Sequence, residues 1–153
     1  GGLRYGEDFG IPAVAISLPD SVSKLEQRTM HENLIHDTLM NYDIELVVLS
    51  GYMRILTPTF VSKWKGRLIN IHPSLLPKYP GANAHRDALA DGANITGCTV
   101  HLVDEGVDTG EIIAQEEVEI LDGDTIEELQ ERVKKIEHQL YPKVLDTFCS
   151  KGV

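Results

Sequence analysis

Residues 46–73 read LVVLSGYMRILTPTFVSKWKGRLINIHP, and this stretch decides the fold. Leu46-Val47-Val48-Leu49 is a short, wholly apolar run of the kind that parallel sheets bury on both faces. Thr57-Pro58 then opens a helix, because a threonine hydroxyl suits the N-cap and proline's fixed φ suits the first helical position. The helix is expected to run to about Lys65 and to stop at Gly66. Leu68 to His72 reads as a second strand, ended by Pro73, which has no N–H to donate to a ladder.

The same alternation continues on both sides. Upstream, Ile11 to Leu18 reads as a strand, and Ser21 to Tyr42 as a helix with Leu25, Leu34, Ile35 and Leu39 as its apolar stripe. Downstream come a loop rich in proline and glycine, a short helix near Ala84 to Asp91, and strands at Thr99 to Val103 and Ile112 to Ile120. In the last strand Val118 and Ile120 alternate with Glu117 and Glu119, which predicts one wet face. A final helix carries Ile126, Leu129, Val133, Ile136, Leu140 and Val144 at steps of three and four. Asp124 with Glu127 resembles a capping box for it, and Pro142 is expected to kink or end it. The pattern predicts an α/β fold with a mostly parallel central sheet and helices on both faces, with residues 1–153 as one domain.

Composition narrows the partners. The 153 residues include 24 acidic and 14 basic side chains, for a formal charge of −10, and no basic run exceeds Lys134-Lys135. Tight nucleic-acid binding rests on many phosphate contacts from Lys and Arg, so a tRNA or DNA partner is disfavoured. No apolar run approaches the roughly 20 residues of a membrane span, and no secretory signal is read. Cys98 and Cys149 form no CxxC pair, which argues for a reducing, cytoplasmic setting without a disulfide framework.

Candidate chemistry gathers at two strand ends. Asn70 and His72 are two residues apart, so they share a face, at the C-terminal end of a strand where open α/β sheets bind ligands. Asparagine can donate to a developing oxyanion, and histidine can carry a proton near neutral pH. Asp108, in Val107-Asp108-Thr109-Gly110, could orient that imidazole and favour its charged form. Together the three suit attack on a formyl or other carbonyl carbon. Taken alone, an Asn-x-His pair is more often solvated or capping a turn, and Asp before Thr-Gly is more often a turn residue.

The loop that follows is more specific. Residues 70–81, NIHPSLLPKYPG, preceded by GYMRIL at 51–56 and followed by GCTVHLV at 97–103 and VDTG at 107–110, resemble the folate-dependent formyltransferases in order and spacing. Within that family, Pro80-Gly81 and the Thr99-Val100-His101 strand, with the charge argument, stand nearer the purine-biosynthetic branch than methionyl-tRNA formyltransferase. The resemblance covers nearly the whole chain and implies a Rossmann-like fold. It also implies transfer of the formyl group of 10-formyltetrahydrofolate to the amine of glycinamide ribonucleotide, with no metal.

Roles follow by the same resemblance. Asn70 would stabilise the oxyanion, His72 would act as general acid/base, and Asp108 would hold His72 and a bound water. Met53, Arg54, Ile55 and Leu56 would form the wall against the folate pteridine, faced by a loop from Val103 and Asp104 to Asp108. Pro73 and Glu137 would contact the amine substrate, although Glu137 without the resemblance reads as a solvated helix residue. Residues from Pro73 to about Asn94 resemble a mobile loop over the site. His101 reads as a satisfied, partly buried histidine. Trp64 and Phe60 read as core, and His31, His36 and His138 as surface residues.

The family's first strand and glycine-rich phosphate loop find no counterpart, so the chain is expected to lack the first β-α unit. The domain occurs alone or at the C-terminal end of a larger purine-synthesis polypeptide, and the motifs stand somewhat nearer the latter. Two rival readings share the residues: a 10-formyltetrahydrofolate hydrolase with water as nucleophile, and a non-catalytic folate-binding domain. A metal site from His72, His101 and Asp108 is conceivable from composition, but the spacing matches no zinc signature.

Overall fold

A computed structural model describes residues 2–20 and 23–152, which form two compact units divided after Ile44. In the first unit, α1 (Gly2–Phe9) leads into residues 11–20, and α2 (Lys24–Asn41) follows. Ser23 caps α2 by accepting from the Glu26 N–H at 3.2 Å. The strand expected at Ile11 to Leu18 does not form: these residues run without a ladder, because no described strand in the unit pairs with their backbone. The expected stripe of α2 is also only half used. Leu25 and Leu34 are exposed, whereas Ile35 and Leu39 line an apolar groove with Ile11, Val14 and Ile16. His31, expected at the surface, is buried with Nε2 3.0 Å from the Ile16 carbonyl.

The second unit holds a four-stranded sheet in the order β1 (Val47–Leu49), β2 (Leu68–His72), β3 (Ile95–Leu102), β4 (Ile112–Glu119). β1 and β2 are parallel, but β2 with β3 and β3 with β4 are antiparallel. The sheet is therefore mixed, where the sequence pattern suggested a mostly parallel one: β2 and β3 are joined through α4 (Ala84–Ala90) without a parallel crossover. β1 lies at the end of the described sheet, so Val48 is part-exposed instead of buried on both sides.

Thr57 caps α3 (Pro58–Lys63), accepting from the Phe60 N–H, and Gly66 at φ +76° turns the chain into β2. Phe60 and Trp64 are core residues, as expected, with the Arg67 guanidinium 4.9 Å from the Trp64 ring centre. α5 (Ile126–Ser150) lays Leu129, Val133 and Tyr141 on the sheet. Leu129 and Val133 meet Cys98 and Val118; Tyr141 meets Ile69 and Val100. Its capping box is one residue later than expected. Thr125 accepts from the Glu128 N–H, and Glu128 accepts from the Thr125 N–H. Asp124 is occupied elsewhere, accepting from the Leu121 N–H and from Arg132 at 2.6 and 2.7 Å. The helix also continues through Pro142 to Ser150, so the proline does not end it. No described helix is long and apolar enough to cross a membrane.

Candidate active site

The antiparallel register of β2 and β3 builds the site. Asn70 lies opposite His101, and His72 opposite Thr99, so all four side chains share one face of the sheet. On β3 the pairing with β4 slips by one residue between Val100 and His101, a bulge at the point where the chain turns toward Asp108. Asn70 Nδ2 comes within 3.4 Å of His101 Nε2. His101 Nδ1 lies 2.8 Å from the Leu102 carbonyl, which can only accept, so Nδ1 carries the hydrogen and Nε2 accepts from Asn70. One of the two Asn70 amide hydrogens is left for another acceptor.

Asp108 joins the pieces. Its Oδ2 accepts from the Gly81 N–H at 2.8 Å and lies 3.4 Å from His72 Nδ1, while its Oδ1 lies 3.7 Å from His101 Nε2. The carboxylate is largely covered, and both imidazoles are buried. On its other edge, His72 Nε2 donates to the Tyr79 carbonyl at 2.9 Å. Nδ1 is thus the ring nitrogen left to exchange a proton, and it faces Asp108.

Asn70, His101 and Asp108 form part of the lining of a cleft in this unit. Of the expected folate wall, Arg54, Ile55 and Leu56 line it, with Val103 and Asp104 opposite. Met53 does not; it is 80% exposed. Asp104 turns inward on its own loop, accepting from the Gly106 N–H and the Thr109 hydroxyl. His72 is buried and does not line this cleft, nor does Pro73, which is half-buried beside it.

A second group of titratable residues surrounds His72. Burial pushes the Glu137 carboxyl above the usual 4.5, against the opposing pull of the His138, His72 and Lys134 charges. Glu137 is therefore half-buried and within electrostatic reach of His72, not a solvated helix residue. Burial, and secondarily the His72 charge, lowers the His85 pKa, and His85 Nδ1 is buried with no hydrogen-bond partner among the described residues. Burial with the charges of Glu137 and Glu116 pushes the Cys98 thiol up to about 12. Among the described residues no group of three His, Cys, Asp or Glu side chains is placed to hold a metal ion.

Two contributors were not evident from spacing. His101 is the satisfied, buried histidine expected, but it also accepts from Asn70 and lies beside Asp108; only the strand register reveals this. The Tyr79 carbonyl is a backbone group that no side-chain motif announces.

The family model described as Formyl transferase matches residues 1–145. The chain is 50% identical over 149 residues to the trifunctional purine biosynthetic protein adenosine-3 of Chironomus tentans, covering 97% of this chain and 11% of that protein. It is 44% identical over 143 residues to phosphoribosylglycinamide formyltransferase of Bacillus subtilis (strain 168), covering 94% of this chain and 71% of that one. A crystal structure of phosphoribosylglycinamide formyltransferase from Bacillus halodurans matches with a TM-score of 0.87 at 41% identity, covering 98% of this chain and 75% of that chain. The chain thus spans only 10% to 15% of the length of the trifunctional relatives.

Proposed function

The chain belongs to the formyl transferase family, and we propose that it transfers the formyl group of 10-formyltetrahydrofolate to the amine of glycinamide ribonucleotide. The activity named for the Bacillus relatives supports this reading. The observation that carries it is the grouping of His72 and His101 beside the Asp108 carboxylate, with Asn70 hydrogen-bonded to His101, at a cleft that Asn70 and Asp108 help line. The family match runs through both compact units, which supports treating residues 1–153 as one catalytic domain. The free thiols of Cys98 and Cys149 fit a cytoplasmic setting.

The folate co-substrate supplies a formyl carbon bonded to a nitrogen leaving group, and the chain supplies the rest. The free Asn70 amide hydrogen stabilises the negative charge that develops on the formyl oxygen as the amine attacks. His72, through Nδ1, and Asp108 receive the proton that the amine nitrogen loses as its bond to carbon forms. They return a proton to the folate nitrogen as its bond to carbon breaks. Arg54, Ile55, Leu56 and the Val103–Asp108 loop hold the folate ring, and Glu137 attracts the amine beforehand.

Replacing Asn70 tests the assignment. Asn70→Ala removes one oxyanion donor and is expected to lower kcat by about 10²–10³ with little change in KM. Single-turnover kinetics with both substrates would check it, and an unchanged rate would remove Asn70 from the mechanism.

A further inference from the structure

The His72 ring is held from two sides, and its Nε2 side leads to a residue outside the assigned chemistry. Nε2 donates to the carbonyl of Tyr79, which stands at φ +52°, a left-handed conformation that a non-glycine residue adopts only at a cost. Such a residue persists where its surroundings over-determine it. Beneath it lies Ser74, wholly buried, whose hydroxyl donates to the Lys78 carbonyl at 2.6 Å and lies 3.2 Å from the Tyr79 carbonyl.

Ser74 is itself fixed to the sheet. Its carbonyl accepts from the Thr99 hydroxyl at 2.7 Å, and that oxygen accepts from the Leu76 N–H and from Gln115. Gln115 also donates to the Leu76 carbonyl. A continuous set of hydrogen bonds therefore runs from β3 and β4 through Thr99 and Ser74 to the turn that presents the Tyr79 carbonyl to His72. An outer restraint on Tyr79, its phenol donating to Asp91, is at the surface.

We infer that Ser74 is a positioning residue for His72, fixing the 78–79 turn so that the Tyr79 carbonyl binds Nε2 and leaves Nδ1 to face Asp108. A buried serine could equally serve stability alone, and the two roles separate in what they move. The inference rests on the formyl-transfer reading only for the use made of His72; the state of the ring is measurable without turnover.

The test is ¹⁵N–¹H NMR of the His72 imidazole in the whole protein, alongside kinetics. In the unmodified protein the ring carries its hydrogen on Nε2, protected from exchange with water. Ser74→Ala is expected to speed that exchange about tenfold and to lower kcat roughly tenfold with KM little changed. Ser74→Thr, which keeps the hydroxyl, restores both. An unprotected Nε2 hydrogen in the unmodified protein overturns the inference, and so does a Ser74→Ala protein that only melts earlier with ring and kcat unaltered. Should Ser74→Ala not fold, the unmodified ring decides alone. If formyl transfer is absent while the ring responds as stated, the activity reading fails and this one stands.

Discussion

Asp108 stands at φ +54°, a conformation that an aspartate adopts at a cost of about 1–3 kcal/mol unless its surroundings hold it. The Gly81 N–H provides that hold at 2.8 Å, with His72 Nδ1 3.4 Å away, so one carboxylate links the 73–81 loop to His72. Glu137 is a carboxyl made less acidic because burial penalises its charge. Its folded pKa lies above the unfolded value near 4.5, so the stability it confers is complete below that pH. That stability is lost as pH rises through the folded value. Glu137→Gln is therefore expected to raise Tm at pH 7, converge with the parent protein below about pH 4.5, and raise KM for the amine. Calorimetry across that range checks the first part. A lower Tm at pH 7 would mean that the opposing His72 and Lys134 charges outweigh burial.

Among the elements, what could be read from sequence and what could not divide along physical lines. The helix at Pro58 was legible because Thr-Pro is a local signal satisfied within one turn, as the Thr57 cap confirms. The cap of α5 was displaced by one because Asp124 and Thr125 each have a glutamate three residues on, and local chemistry does not choose between them. Arg132 chooses, by engaging Asp124 and leaving Thr125 to cap. Strand direction is likewise absent from hydrophobic periodicity, which is why the sheet read as mostly parallel while two of its three ladders are antiparallel. Thr125→Ala is expected to cost about 1 kcal/mol of stability and to leave kcat unchanged, since the cap lies away from the cleft. Urea denaturation and steady-state rates would check both halves, and a fall in kcat would tie the start of α5 to the site.

At the scale of the whole molecule, the α/β class inferred from the sequence agrees with the Rossmann-like fold of the solved relatives. Asn70, His72 and Asp108 could be singled out as candidates because the motif around them is long. Their mutual arrangement was not legible, because it depends on pairing Asn70 with His101 across 31 residues of chain. The groove of Ile11, Val14, Ile35 and Leu39 was equally beyond reach, since it needs residues 11–16 to lie beside α2 without joining a sheet. In the proposed reaction one carboxylate-linked site passes a formyl group to an amine. The most direct measurement follows consumption of 10-formyltetrahydrofolate by the protein with and without glycinamide ribonucleotide. The expected result is consumption only with the amine present, giving formylated product, and abolished by Asp108→Asn. Formate released at the same rate without the amine would contradict it.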